Sequence, residues 1–143
     1  MAGPSFLTPK PVSPSRSTRR FTVEQANRTL PLVRRIVSDI VKSHQRVTAL
    51  HVASVSATGK DQPAAQTALD RAVEQLQNYV DELAGIGCQL KDYQTGLIDF
   101  LGRHEGRDVC LCWKLGEEKI SYWHEMTAGF AGRAPIETLR ETA

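Results

Sequence analysis

Between Val23 and His51 the apolar side of the chain recurs in alternating steps of three and four: Val23, Ala26, Leu30, Val33, Val37, Ile40, His44, Val47 and His51. Only a helix returns residues at that spacing to one side, and the regular alternation makes that side a heptad seam, widened by Ile36 and Val41. A second seam runs through Ala65, Leu69, Ala72, Leu76, Tyr79 and Leu83, with Ala68, Val73 and Val80 beside it. The intervening ASVSATGKDQ, residues 53–62, reads as a polar loop. Two seamed helices with a short connection predict an antiparallel helical hairpin over about residues 23–85.

The helix ends carry their own signals. Thr22 followed by Gln25 has the spacing of a capping box, and Phe21 and Ala26 stand where a hydrophobic staple would form. Pro31 removes a backbone donor, so the sequence predicts either a short helix near residues 23–29 followed by a long one, or a single kinked helix. Gly85 is expected to stop the second helix in the left-handed conformation, with Ile86 making the apolar contact beyond it.

From Gly87 the period changes to two. GCQLKDY (87–93) alternates, YQTG (93–96) is a turn, and LIDFL (97–101) is a strand. GRHEGR (102–107) reads as a glycine-bounded loop and DVCLCWKL (108–115) as a second strand; GEEK (116–119) then turns the chain into ISYWHE (120–125). A glycine-rich loop follows, and Pro135 is placed to open a short terminal helix. Helices first and strands second imply an α+β fold: a long antiparallel helical hairpin packed on a small antiparallel β-meander, the latter with its terminal loop spanning about residues 87–143.

Residues 21–143 are therefore expected to form one domain, preceded by a tail of another character. Residues 1–20 carry Lys10, Arg16, Arg19 and Arg20 and no acid, whereas the rest of the chain is slightly acidic. Pro4, Pro9, Pro11 and Pro14 with four serines leave the tail too poor in apolar groups to fold alone, so it is read as a disordered, solubilising leader. Four charges give little affinity for a polyanion at physiological salt, and nucleic acid is not an expected partner. No membrane-spanning run of about 18 apolar residues occurs. The N-terminus lacks the apolar run of a secretory signal, and three cysteines make an odd number; together these point to a cytoplasmic protein with reduced thiols.

FTVEQANRTLPLVRRIV, CQLKDYQTGLIDF, LCWKLGEEKISYWHE and GFAGRAPI, in that order, resemble the uncharacterised prokaryotic family known as domain of unknown function 2203. The resemblance covers about residues 21–136 and implies a small cytosolic α+β or mostly helical protein. It brings no activity, cofactor or catalytic residue.

Three constellations were weighed for chemistry. Cys110 and Cys112 form C-x-C on a strand, which places their side chains on one face about 7 Å apart. Two thiolates on one zinc ion lie about 3.8 Å apart, so a regular strand does not bring both to one metal. With no further cysteine pair to complete a zinc knuckle, the cysteines read as small buried hydrophobes, and neither a metal nor a cofactor is expected. Hairpin register bears on this reading. A two- or four-residue turn pairs Trp113 with Tyr122, Cys112 with Trp123 and Leu111 with His124. One face then carries Val109, Leu111, Trp113, Leu115, Ile120, Tyr122 and His124, and the cysteines and Trp123 point to the other side. A three- or five-residue turn would slip the pairing by one.

The second constellation is acid–base. His124 is a natural proton shuttle with Glu125, Glu117, Asp92 and Asp99 as candidate carboxylate neighbours. Asp99, between Ile98 and Phe100, needs a partner if buried, and Arg133 is a candidate. Gly129, Gly132 and Arg133 are candidates for a small-anion cradle. These residues are either a ligand site, catalytic or not, or a structural polar network. The third constellation, His44 and His51, spans about 10.5 Å along the helix axis, too far for one metal ion. A polar residue in a seam more often fixes register. No motif names a reaction. Two functional classes follow: a non-enzymatic protein-binding or homo-oligomerisation module acting through the helical seams, and a small-molecule or anion-binding domain or enzyme with its site around Asp99, His124 and Arg133.

Overall fold

The structure, a computed structural model, describes residue 9, residues 14–15 and residues 18–141. Most of the expected N-terminal tail lies outside the described residues. Two helices, α1 (Val23–Ser56) and α2 (Gln62–Ile86), pack against each other as a hairpin. They are followed by the strands β1 (Cys88–Asp92), β2 (Leu97–His104), β3 (Arg107–Lys114), β4 (Tyr122–Glu125) and β5 (Ala134–Pro135). The strands form one antiparallel sheet in the order β1-β2-β3-β4-β5. The fold is α+β.

The capping box forms as the spacing requires. Gln25 N donates to Thr22 Oγ1 (3.1 Å), and Thr22 N donates to Gln25 Oε1 (3.0 Å). α1 is one helix with Pro31 inside it, not two. Leu30 and Val33 on either side of the proline are buried, so packing of the seam offsets the missing backbone hydrogen bond. All the interior seam positions from Ala26 to Val47 are buried in the single chain, as are Leu69, Ala72, Leu76 and Leu83 of α2.

The connection between the helices is shorter than the expected loop. α1 runs on to Ser56, and residues 59–61 already make a 3-10 turn leading into α2. The end of α2 also differs. Gly85 stays helical, and the left-handed cap is Gly87 at φ 113°. Its N–H reaches back to Ala84 and Leu83. A Cβ at Gly87 would lie 2.9 Å from the Phe21 ring, so packing as well as dihedral angle selects glycine there.

The glycine-bounded segment 102–107 is mostly strand. β2 continues through His104, and only Glu105 (φ 50°) and Gly106 (φ 82°) turn the chain, as a two-residue hairpin requires. Gly102 marks close packing rather than a loop, because a Cβ would meet Leu111 at 2.8 Å. The expected terminal helix at Pro135 is replaced by β5, paired to β4 through Trp123–Ala134, and a 3-10 turn at Ile136–Thr138.

The β3–β4 register overturns the expected one by a single step. Cys112 pairs with Tyr122, Leu111 with Trp123 and Cys110 with His124. The cause lies in residues 115–121, which do not extend the hairpin. Trp113 Nε1 donates to Glu117 O (3.0 Å), Lys114 N to Glu117 Oε1 (2.8 Å), and Ile120 N to Asn27 Oδ1 on α1 (2.8 Å). Ile120 is pulled onto the helices, and strand pairing resumes only at Tyr122. Trp123 therefore joins Phe100, Leu111 and Trp113 on the core face. The tryptophans share one side of the sheet, and His124 lies on the other side with the cysteines of β3.

Candidate functional site

That second face of the sheet is partly covered. Register places Gln89, Asp99, Leu101, Cys110, Cys112, Tyr122 and His124 on it, across four strands. Met126 and Phe130, on the segment after β4, reach back over it: the Cys110 thiol donates to Met126 Sδ (3.6 Å), and Lys114 Nζ lies over the Phe130 ring. Asp99, Cys112 and His124 are only 4%, 0% and 5% exposed.

These three side chains converge. His124 Nε2 is 3.1 Å from Asp99 Oδ1, and one ligand atom from each of Asp99, Cys112 and His124 lies within 4.8 Å of the others. His124 Nδ1 is 2.8 Å from the backbone oxygen of Glu125; a carbonyl only accepts, so Nδ1 carries a proton. Burial opposes charge on this ring, but hydrogen bonds to Asp99 and Cys112 and the Asp99 charge outweigh it, raising His124 to about 10. Without a further ligand the pair is a buried imidazolium–carboxylate ion pair. Burial, reinforced by Asp99, pushes the Cys110 thiol up to about 12, so it is not a ready nucleophile. Cys112 has no exposed surface from which to attack a substrate.

The wall of this cluster opens on a cavity of about 510 Å³. Asp99, Leu101, Cys110 and Met126 line it together with Leu90 and Tyr93. Pro9, Pro14 and Thr18 from the N-terminal segment also contribute to its lining.

The other anticipated site residues lie elsewhere. Arg133 makes its ion pair with Glu117 (Nη2 to Oε2, 2.6 Å) rather than with Asp99, and its guanidinium stacks on Tyr122 (3.9 Å) and Phe130 (4.6 Å). Gly129 and Gly132 bound the 3-10 turn at Phe130–Gly132. The N–H groups of Gly132 and Arg133 are already donated to Gly129 O and Phe130 O in the 3-10 turn. Glu125 supplies its carbonyl to His124, while its carboxylate takes a bidentate pair with Arg107 (2.6 and 3.0 Å). Asp92 accepts from the Thr95 backbone and hydroxyl at the β1–β2 turn. Burial pushes its carboxyl up, but these hydrogen bonds, one from the Gln94 backbone and nearby His44 together hold it below the usual range. His44 stacks on Tyr93 at 4.7 Å in the helix–sheet interface.

Sequence reasoning paired Asp99 with His124 as one alternative but dismissed Cys112 as a core thiol. The available signal was Trp123: placing that large ring on the core face forces His124 to the side of the cysteines.

The model of the uncharacterized conserved protein family DUF2203 matches residues 19–136. The chain belongs to this family. In DUF2203 terms the matched region takes in both helices, all five strands and every residue of the Asp99–Cys112–His124 cluster. No curated protein and no solved structure matches the chain. No helix among the described residues is long and apolar enough to cross a membrane.

Proposed function

We propose that this DUF2203 protein is a small-molecule-binding domain whose site is the cavity beside β1, lined by the sheet, by Val80 and Ala84 of α2 and by the N-terminal segment. One observation carries the reading: a carboxylate, Asp99, is 4% exposed yet forms part of the wall of a largely apolar cavity of about 510 Å³. Binding sites for small ligands combine an apolar lining with a few fixed polar groups. The ligand that fits is a compact, mostly apolar molecule carrying a hydrogen-bond donor or a cationic group for Asp99. His124 holds the carboxylate in place from the side facing away from the cavity. This reading keeps Asp99 and His124 from the anticipated site and leaves out Arg133, Gly129 and Gly132.

Native mass spectrometry of the purified protein, followed by a thermal-shift screen with cationic and neutral apolar compounds, tests the proposal. A ligand raises the melting temperature of the wild type, and Leu101→Trp, which fills the cavity, abolishes the shift while leaving the circular-dichroism spectrum unchanged. If every hit shifts Leu101→Trp equally, the cavity is not the site. A protein-binding or homo-oligomeric role through the helices draws on Val52 (60% exposed), Val55 (73% exposed) and Leu32, which remain on the surface of α1. The assembly mass in the same spectrum reports it, as does retention of cytosolic partners.

A further inference from the structure

We infer that Asp99, Cys112 and His124 form a binding site for a zinc-class divalent metal ion, with a fourth position for water or a ligand atom from the cavity. The site deepens the small-molecule reading above, although its three protein ligands stand without it.

The placement comes from the sheet. Asp99 and Cys112 are direct partners across β2 and β3, and His124 sits on β4 beside them on the same face. Their ligand atoms lie within 4.8 Å of one another, and all three residues are buried. Around a tetrahedral ion with bonds of about 2.0–2.1 Å to nitrogen and oxygen, two such ligands stand about 3.3 Å apart. The observed 3.1 Å between His124 Nε2 and Asp99 Oδ1 is close to that separation. The ring is also held the way metal-binding imidazoles are held. Nδ1–H is fixed on the Glu125 carbonyl, which leaves Nε2 toward the Asp99 carboxylate.

The donor set selects the ion. One imidazole nitrogen, one thiolate and one carboxylate oxygen suit zinc and its neighbours, whereas calcium and magnesium require mostly oxygen ligands. Charge points the same way: a divalent cation with a thiolate, a carboxylate and a neutral imidazole makes a buried site of zero net charge. Cys110 stands directly across from His124, but it lies one strand repeat from Cys112, too far to share the ion without a bulge. Its thiol is engaged with Met126. Three protein ligands with one position open is the pattern of exchangeable rather than purely structural zinc sites, and Asp99, common to the cluster and the cavity, indicates where that position points.

The test is a titration of the reduced, chelator-treated full chain with cobalt(II) alone, followed by absorbance. The expected result is saturation at one equivalent, with a thiolate-to-cobalt charge-transfer band and the intense visible bands of tetrahedral cobalt, all displaced by zinc. Cys112→Ser removes the charge-transfer band. Asp99→Asn and His124→Gln weaken binding by about tenfold or more, and Cys110→Ser leaves the spectrum in place. Absence of a stoichiometric band in the folded wild type overturns the inference without recourse to any variant. So does a band that survives Cys112→Ser, in protein shown by circular dichroism to be folded, and disappears in Cys88→Ser or Cys110→Ser. Leu101→Trp separates the two proposals: cobalt bound normally by a variant that has lost every organic ligand locates a fault in neither, whereas organic ligands that bind metal-free Cys112→Ser as well as wild type leave the cavity reading standing and remove the metal from it.

Discussion

Asp99 has almost no surface from which to recover hydration, so its charge depends on His124. In the metal-free protein, His124→Ala should cost about 3–5 kcal/mol, because it leaves a buried carboxylate without its counter-charge. Urea unfolding monitored by circular dichroism measures it. The double replacement of Asp99 and His124 by apolar residues of similar size should cost clearly less than the two single replacements added together. Additive losses would mean that the two side chains do not act as a pair. The thiols give a second expectation at this scale. Burial raises both Cys88 and Cys110 to about 12, so neither should be alkylated near neutral pH until the chain unfolds. Thiol labelling with and without denaturant decides this, and rapid native labelling of either one would contradict the described packing. That Asp99 needs a partner if buried was legible from Ile98 and Phe100 beside it. The sequence offered Arg133 for that role and Asp99 only as one of four carboxylates for His124, whereas the structure pairs Asp99 with His124. The place of Cys112 was not legible, because its neighbours depend on a register fixed by Asn27 and Ile120, which are 93 residues apart.

Among the elements, the helices were the most legible, since a seam of buried residues repeats many times and tolerates a local exception such as Pro31. Ends are decided by single contacts, and there the reading slipped. Gly85 and Gly87 both look like helix stops. The one chosen is the one whose missing Cβ admits Phe21 and whose φ of 113° other residues resist. The two glycines should therefore respond oppositely to the same substitution. Gly85→Ala adds a methyl group to an open helical position and should stabilise by up to about 1 kcal/mol. Gly87→Ala should destabilise by about 1–3 kcal/mol through left-handed strain and the clash with Phe21. Thermal melts of the two variants make the comparison, and equal effects would place the helix end elsewhere. Strand identity was likewise readable from alternation, but the face each strand presents was not. The connection from Leu115 to Ser121 is shaped by hydrogen bonds to Glu117 and α1, not by turn residues that a local reading can recognise.

At the scale of the molecule, the helical hairpin covers one face of the sheet, while the start and end of the domain are tied to its rim. Arg20 makes two hydrogen bonds to Asp108 on β3 (2.8 and 3.0 Å), and Phe21 N donates to Leu101 O (2.8 Å), so Arg20 and Phe21 are bound to the sheet rather than trailing from it. Net charge could not reveal this, because it is the position of Arg20 beside one acid that matters and not the basic character of residues 1–20. The Arg20 hydrogen bonds, helped by the nearby charges of Arg20 and Arg103, hold the Asp108 carboxyl below the usual range, and Arg107 does the same for Glu125. Asp92 is lowered as well. A carboxyl lowered in the folded state binds fewer protons there than in the unfolded chain. Its contribution is therefore complete above the unfolded value of about 4 and is lost as the pH falls through the lower folded value. His124, raised in the folded state, contributes fully below its unfolded value of about 6.5 and loses that contribution only toward alkaline pH. Stability should therefore not fall between neutral pH and about 5, and should then decline through the range below about 4. Asp108→Asn should lower stability at neutral pH and flatten part of that decline. Urea midpoints measured across this range test the expectation. A decline that begins near pH 6.5 instead would assign acid sensitivity to a buried histidine, and one unchanged in Asp108→Asn would remove the Arg20 clamp from the account.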